Sequence, residues 1–223
     1  MHTSETHLLD VAREFLFPGG EDVARRVKAV RITERGKMQT APKARPIAFT
    51  AEQLIDARTS RFRWESRFRG GLGFFKVIDA YEDRRGSLTI RAGVLPVKKM
   101  AGPDFDLGEL QRYLAAFALC PPMLLNHQSL VWTPVQPHVI RVADGHAVID
   151  LEFDDRGCPI GFHGERPRVV GNQSVPTPWS GRAGDFREWD GIRVAGTTEA
   201  SWQLSDGPFR YYQSEVTSVT ALE

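Results

Sequence analysis

At 223 residues, with 41% hydrophobic and 26% charged, the chain has the length and composition of one large all-β domain or two small ones. Twenty-nine basic against 28 acidic residues give a formal charge of +1 with the signs mixed, which argues against a nucleic-acid partner while leaving room for a local basic patch. There is no run of roughly 20 apolar residues to span a membrane and no secretion signal. Cys120 and Cys158 lack CxxC spacing and make no disulfide framework, so the chain reads as cytoplasmic with free thiols.

Residues 4–16 form an amphipathic helix, capped by Ser4, with Leu8, Val11, Ala12, Phe15 and Leu16 at helical spacing; Pro18-Gly19-Gly20 ends it. From about residue 27 the period falls to two. Strands are expected over 26–39, 46–57, 61–69, 73–83 and 87–100, with a turn near Arg84-Arg85-Gly86. In 61–69, Phe62, Trp64, Ser66 and Phe68 alternate with arginines and Glu65, the pattern of a strand with one face in water.

A second helix spans 106–119. Asp106 and Glu109 resemble a capping box, Leu107, Leu110, Leu114, Phe117 and Ala118 form its stripe, and Glu109, Arg112 and Ala116 lie off it. Pro121-Pro122 terminates it. Further strands follow over 129–135, 138–143, 146–153, 159–170, 179–189, 192–204 and 209–219. Asp144-Gly145, Asp190-Gly191 and Asp206-Gly207 punctuate them as hairpin signals. The expectation is a mainly β single domain over 1–223. It is a curved antiparallel sheet of about eleven strands forming an incomplete barrel, with an N-terminal helix and a mid-chain lid helix.

The ordered series GKMQ, FTAEQ, FRWESR, IDAYEDRRGSL, DLGELQRYL, PTPWSGRAGDFREWDGIRV and WQLSDGPF resembles a bacterial domain family of unknown function. That family is similar in fold to the LolA/LolB lipoprotein carriers, and the resemblance covers about residues 25–220. It implies a half-barrel with helices in its mouth over an apolar cavity. Where the family helix tends to carry an acidic residue, this chain has Ala116.

Recognisable catalytic motifs are lacking. The six histidines show no metal-ligand spacing, there is no GxSxG or P-loop, and Gly70-Gly71-Leu72-Gly73 reads as a turn between strands. Asp79 and Tyr81 share an apolar strand face, which suits either acid–base work or a hydrogen-bonded pair at the rim. Arg112 and Tyr113 lie on the lid helix, where Arg112 would clamp an anionic head group or pair with Glu109. Trp64 is expected beneath the lid, with Trp132 and Trp179 nearest the mouth. Leu110, Leu114 and Phe117 are expected to meet Trp64 and Phe68.

The leading expectation is binding of a hydrophobic or amphipathic small molecule through Trp64, Asp79, Tyr81, Arg112, Tyr113, Trp132 and Trp179, without cofactor or metal. The alternatives are a cofactor-independent isomerase, cyclase or hydrolase in the same cavity, and an interaction module using a sheet edge. Nothing in the sequence specifies an oligomeric state.

Overall fold

Alternating apolar residues build strands here because each strand buries one face against a curved interior and wets the other. The computed structural model describes residues 5–70, 73–93, 95–171 and 173–223. His2, the cap residue Ser4, Gly71-Leu72 of the glycine-rich turn, Val94 and Asn172 lie outside the described residues.

Two short helices, α1 (Glu5–Leu16) and α2 (Glu21–Arg26), precede six strands: β1 (Ala29–Met38), β2 (Ile47–Asp56), β3 (Phe62–Gly70), β4 (Gly73–Glu82), β5 (Arg85–Ala92) and β6 (Leu95–Ala101). A helical segment follows, with α3 (Pro103–Ala115), a 3-10 turn (Ala116–Leu119) and α4 (Met123–Asn126). Then come β7 (Val131–Gln136), β8 (Val139–Asp144), β9 (Ala147–Phe153), β10 (Pro159–Val170), β11 (Gln173–Gly184), the ribbon strands β12 (Arg187–Trp189) and β13 (Ile192–Val194), β14 (Thr197–Leu204) and β15 (Gly207–Leu222).

Thirteen strands make one antiparallel sheet in the order β6-β5-β4-β3-β2-β1-β15-β14-β11-β10-β9-β8-β7, which does not close on itself. The first and last long strands pair at its middle, from Ala29 opposite Leu222 to Met38 opposite Tyr212. Three stretches expected as single strands each break in two. Residues 87–100 turn at Gly93 (φ 60°) and residues 179–189 at Asp185 (φ 53°). Residues 192–204 break at Ala195-Gly196, where Gly196 lies so close to the Asp185 carbonyl that no side chain would fit. Residues 169–178, expected as a loop, mostly extend β10 and β11 into a long hairpin with Pro167 opposite Pro176. Neither β9 nor β14 pairs with this outer part, so the prolines leave no ladder donor missing toward a neighbour.

All three Asp-Gly pairs lie at hairpins, but only Asp190-Gly191 fills both central positions with positive φ, 49° and 81°. The β8–β9 turn centres on Gly145-His146 and the β14–β15 turn on Ser205-Asp206, each shifted by one residue. The β4–β5 turn centres on Asp83-Arg84, both left-handed, just before the expected position.

α3 begins three residues earlier than expected, with Pro103 in its first turn. Asp106 is therefore not its cap. Its carboxylate instead accepts from the Gly86 backbone N–H (2.7 Å) and from Arg85 (3.1 Å), fastening the helix to β5. The helix packs on β4, β5 and β6 at one side and on β8, β9 and β10 at the other. Leu110, Leu114 and Phe117 are buried as the stripe requires, but the Phe117 ring meets Trp132 (5.3 Å) and Phe153 (6.1 Å). Phe68 stacks on Phe75 instead, at 4.9 Å with rings nearly parallel.

Two consequences are measurable. Leu114 is fully buried, so Leu114→Ala should destabilise the fold by about 2–5 kcal/mol in urea unfolding, with little change in m-value. Both cysteines are free and buried; burial pushes the Cys158 thiol up to about 11 and the Cys120 thiol higher still. At neutral pH both should react with a disulfide reagent far more slowly in the native protein than in denaturant.

Candidate ligand cavity

Between the inner face of the sheet and α3 lies a cavity of about 370 Å³. Its walls are chiefly apolar, with Met38, Leu88, Met100, Phe105, Phe162 and Val169 among them. One row of cross-strand partners crosses the floor: Gln53, Trp64, Asp79, Leu88 and Met100 from β2 to β6.

The polar groups of the lining come largely from α3, β4 and β10. Arg112 forms an ion pair with Asp79 and lies 3.8 Å from Glu109. Its guanidinium also covers the Phe62 and Trp64 rings, at 4.9 and 5.1 Å from their centroids. Burial, helped by the nearby Arg166 charge, brings the Arg112 pKa down to about 10, so the group remains cationic at neutral pH. Arg166 donates to the Gly108 carbonyl and to Glu109, both at 2.8 Å, and stacks 4.7 Å over Trp179. Burial raises the Glu109 carboxyl above its ordinary range, against the pull of Arg166. Asp79 Oδ1 and Glu109 Oε2 are buried without a hydrogen-bond partner among the described residues.

Behind this wall sits Glu34 of β1, itself buried. It accepts from Trp64 Nε1 at 2.7 Å and from the Tyr212 hydroxyl at 2.8 Å, so one carboxylate fixes two rings of the lining. Burial and the Glu34 charge hold the Tyr212 phenol well above its ordinary pKa. Trp179 Nε1 donates to the Tyr211 hydroxyl at 3.1 Å, and Tyr211 stacks on Trp202.

Of the seven residues singled out from the sequence, Trp64, Asp79, Arg112 and Trp179 line the cavity. Tyr81, Tyr113 and Trp132 do not. Tyr81 is buried two residues beyond Asp79, and its phenol is raised by burial and by Asp144 rather than by a cavity group. Tyr113 follows Arg112 by about 100° of helix turn; its hydroxyl donates to the Asp56 carbonyl at 2.9 Å and its ring lies against His127. Trp132 sits on the edge strand β7 against Phe117. Arg112 is also not an exposed neighbour of the mouth, as its place off the stripe suggested. The helix is enclosed on two sides, so Glu109, Gln111 and Arg112 turn inward with the leucines.

Glu34, Arg166, Trp202, Tyr211 and Tyr212 join the site without having been expected there, and Glu109 faces inward although it lies off the apolar stripe. Glu34 had a usable signal: Val30 and Ile32 set the inward phase of β1, and Glu34 continues it. Arg166 had none, because its position depends on a helix 57 residues away in sequence.

A second polar cluster imitates a catalytic triad without its wiring. Ser60 Oγ lies 3.1 Å from His127 Nε2 and donates to Asp144 at 2.5 Å. The carboxylate therefore holds the hydroxyl and not the imidazole, while His127 Nδ1 is buried without a partner among the described residues. None of the three lines the cavity. Among the described residues no group of three or more His, Cys, Asp or Glu is placed to hold a metal.

Because Trp64 and Tyr212 would each lose a buried acceptor, Glu34→Ala should destabilise by about 1–3 kcal/mol, and Glu34→Gln by less. Arg112→Ala strands the Asp79 carboxylate, so it should cost about 3–5 kcal/mol while Asp79→Asn with Arg112→Met recovers much of the loss. Urea titrations of the set measure both.

No curated protein matches the sequence. Several solved structures share the fold. A LolA superfamily protein from Nitrosomonas europaea is 10% identical, with 99% of this chain and 94% of that one aligned at a TM-score of 0.49. A DUF1329 family protein from Desulfovibrio piger is 7% identical over 97% and 92%, with a TM-score of 0.52. A domain from Vibrio parahaemolyticus, named for outer membrane lipoprotein sorting, is 9% identical over 96% and 93%, with a TM-score of 0.50. At these identities the likeness is one of fold alone. The model of a family of unknown function, DUF6544, matches residues 6–214, nearly the whole chain, and the chain belongs to that family.

Proposed function

We propose that the protein binds an amphipathic small molecule in the cavity beneath α3. The observation that carries this reading is the cavity itself: about 370 Å³ with mostly apolar walls and charged side chains drawn largely from α3, β4 and β10. That size and polarity fit the usual pattern of small-molecule sites. A domain named for outer membrane lipoprotein sorting is among the structures with this fold, which agrees with the reading without specifying a ligand.

The head group that suits this site is not the carboxylate expected from Arg112 alone. Arg112 is already matched by Asp79 and Arg166 by Glu109, and both guanidinium planes are stacked on rings. What is left over is acceptor capacity, at Asp79 Oδ1 and Glu109 Oε2. A head bearing hydroxyl or amine donors would use it, whereas an anion would have to break an existing ion pair. The acid–base alternative is served less well: Asp79 is committed to Arg112, and Tyr81 stands outside the lining.

The test is Nile red uptake followed by displacement, with energy transfer from Trp64, Trp179 and Trp202 reporting occupancy. Long-chain monoacylglycerol or alcohol should displace the dye at lower concentration than a fatty acid of equal length. The charge-neutral pair Asp79→Asn with Arg112→Met should shrink that preference. If the protein takes up neither dye nor amphiphile, the reading is wrong.

A further inference from the structure

Strand direction sorts this molecule into two unlike ends. Because every neighbour is antiparallel, the 38–47 connection and the hairpins at 70–73, 92–95 and 170–173 all lie at one end of the sheet. The sequence around those four sites, residues 37–47, 66–76, 90–100 and 166–177, holds eleven Lys and Arg and no Asp or Glu; Arg166 is committed to Glu109 and Lys76 to Glu65, which leaves nine. The chain as a whole is nearly balanced, so the segregation is a property of this end. Of the two further hairpins with this strand direction, β14–β15 carries Asp206, while β8–β9 carries Asp144, which the twist of the sheet brings to Ser60 in the β2–β3 connection at the opposite end.

The same segments are apolar where they should be wet. Phe74, Leu95, Val97, Val169, Val170 and Val175 are six of the nine most exposed large hydrophobic side chains among the described residues. Phe74 and Leu95 are about 70% exposed. Val169, Val170 and Val175 ride on the outer part of the β10–β11 hairpin, which has no partner strand on either side among the described residues. Pro96, Lys98 and Lys99 alone would be ordinary protection of the edge strand β6 against unwanted pairing. That explanation fails for Leu95 and Val97 on the same strand, and for Arg67 and Arg69 on the interior strand β3.

This end also borders the cavity, since Met38, Arg168, Val169 and Ser174 all line it. We propose that the basic, apolar-tipped end docks on an anionic lipid bilayer and brings the cavity mouth to the membrane surface. Hairpin tips would sink into the interface while the surrounding Lys and Arg meet lipid phosphates and carboxylates. Nucleic acid shares the charge requirement, but it would use stacking aromatics, and among the described residues the exposed tips offer aliphatic side chains with Phe74 as the sole ring. The proposal rests on the ligand reading only for what the docking achieves, namely exchange of an amphiphile with the bilayer.

The experiment is flotation of the full chain with phosphatidylcholine vesicles, with and without phosphatidylglycerol, at low and high salt. Binding is expected to the anionic vesicles, to weaken with salt, and to be at least about tenfold poorer on phosphatidylcholine alone. The double variants Phe74→Ser/Leu95→Ser and Lys98→Glu/Lys99→Glu should each lower binding roughly tenfold. None of these four residues lines the cavity, so Nile red uptake should be unchanged in both variants, which also certifies that they fold. Absence of flotation on anionic vesicles, or flotation that neither variant weakens, would overturn the proposal. So would a gel shift of single-stranded nucleic acid, sensitive to the charge reversal, in a protein that ignores vesicles. Flotation by a protein that takes up no Nile red would uphold docking and remove the ligand reading.

Discussion

The pairing of β1 with β15 organises everything else. With the first and last long strands side by side, two meanders run outward from them, and β6 and β7 become the free edges. The segment between those edges, residues 102–130, must then cross the open side of the sheet. A helix suits that crossing, because it satisfies its own backbone groups while touching strands only through side chains. The pairing carries a bulge between Thr33 and Glu34, where Thr217 has no opposite residue and its hydroxyl donates to the Thr33 carbonyl. Such a bulge adds local twist and bend, and it lies beside the carboxylate that fixes Trp64 and Tyr212.

A helix covered on two sides cannot keep its polar residues in water. α3 therefore buries Glu109 and Gln111, turns the partly buried Arg112 inward, and finds them partners on both arms of the sheet. Asp79 answers Arg112 from β4; Arg166 answers Glu109 from β10, where the Glu165 carbonyl also accepts from Gln111 at 2.6 Å. Buried ion pairs add little net stability, since desolvation offsets most of the Coulomb gain. Their usefulness here is positional, as they set the height and register of the helix above the sheet. The groups that hold the lid are thus also the polar groups a ligand would meet, and a ligand that broke them would loosen the roof over itself.

Much of the architecture was legible in the sequence, and the misses have identifiable causes. Period-two alternation in β1, β2, β3 and β9 announced those strands, because one face of each is buried almost without exception. Strand breaks at Asp185 and Ala195-Gly196 were invisible, since they follow from the close contact of those two segments with each other and not from a Gly-Pro signal. The start of α3 was missed because Asp106 looked like a cap, while its carboxylate was claimed by Gly86 in a neighbouring strand. The site was half legible. Residues whose direction is set by strand phase, Trp64 and Asp79, were placed in the cavity, whereas Tyr113 shows that adjacent residues on a helix cannot share a face.

Charge shows the same limit in another form. A net charge of +1 argues against a polyanionic partner only if the signs are mixed in space as they are along the chain. On the flanks of the sheet they are mixed, in cross-strand pairs such as Arg35 with Glu215 and Arg141 with Asp150. At the hairpin ends described above they are not, because an antiparallel meander gathers segments spaced 20 or more residues apart onto one rim. Short basic clusters that look unremarkable one at a time become a single surface once strand direction is known. Composition averages over that surface, and topology is what recovers it.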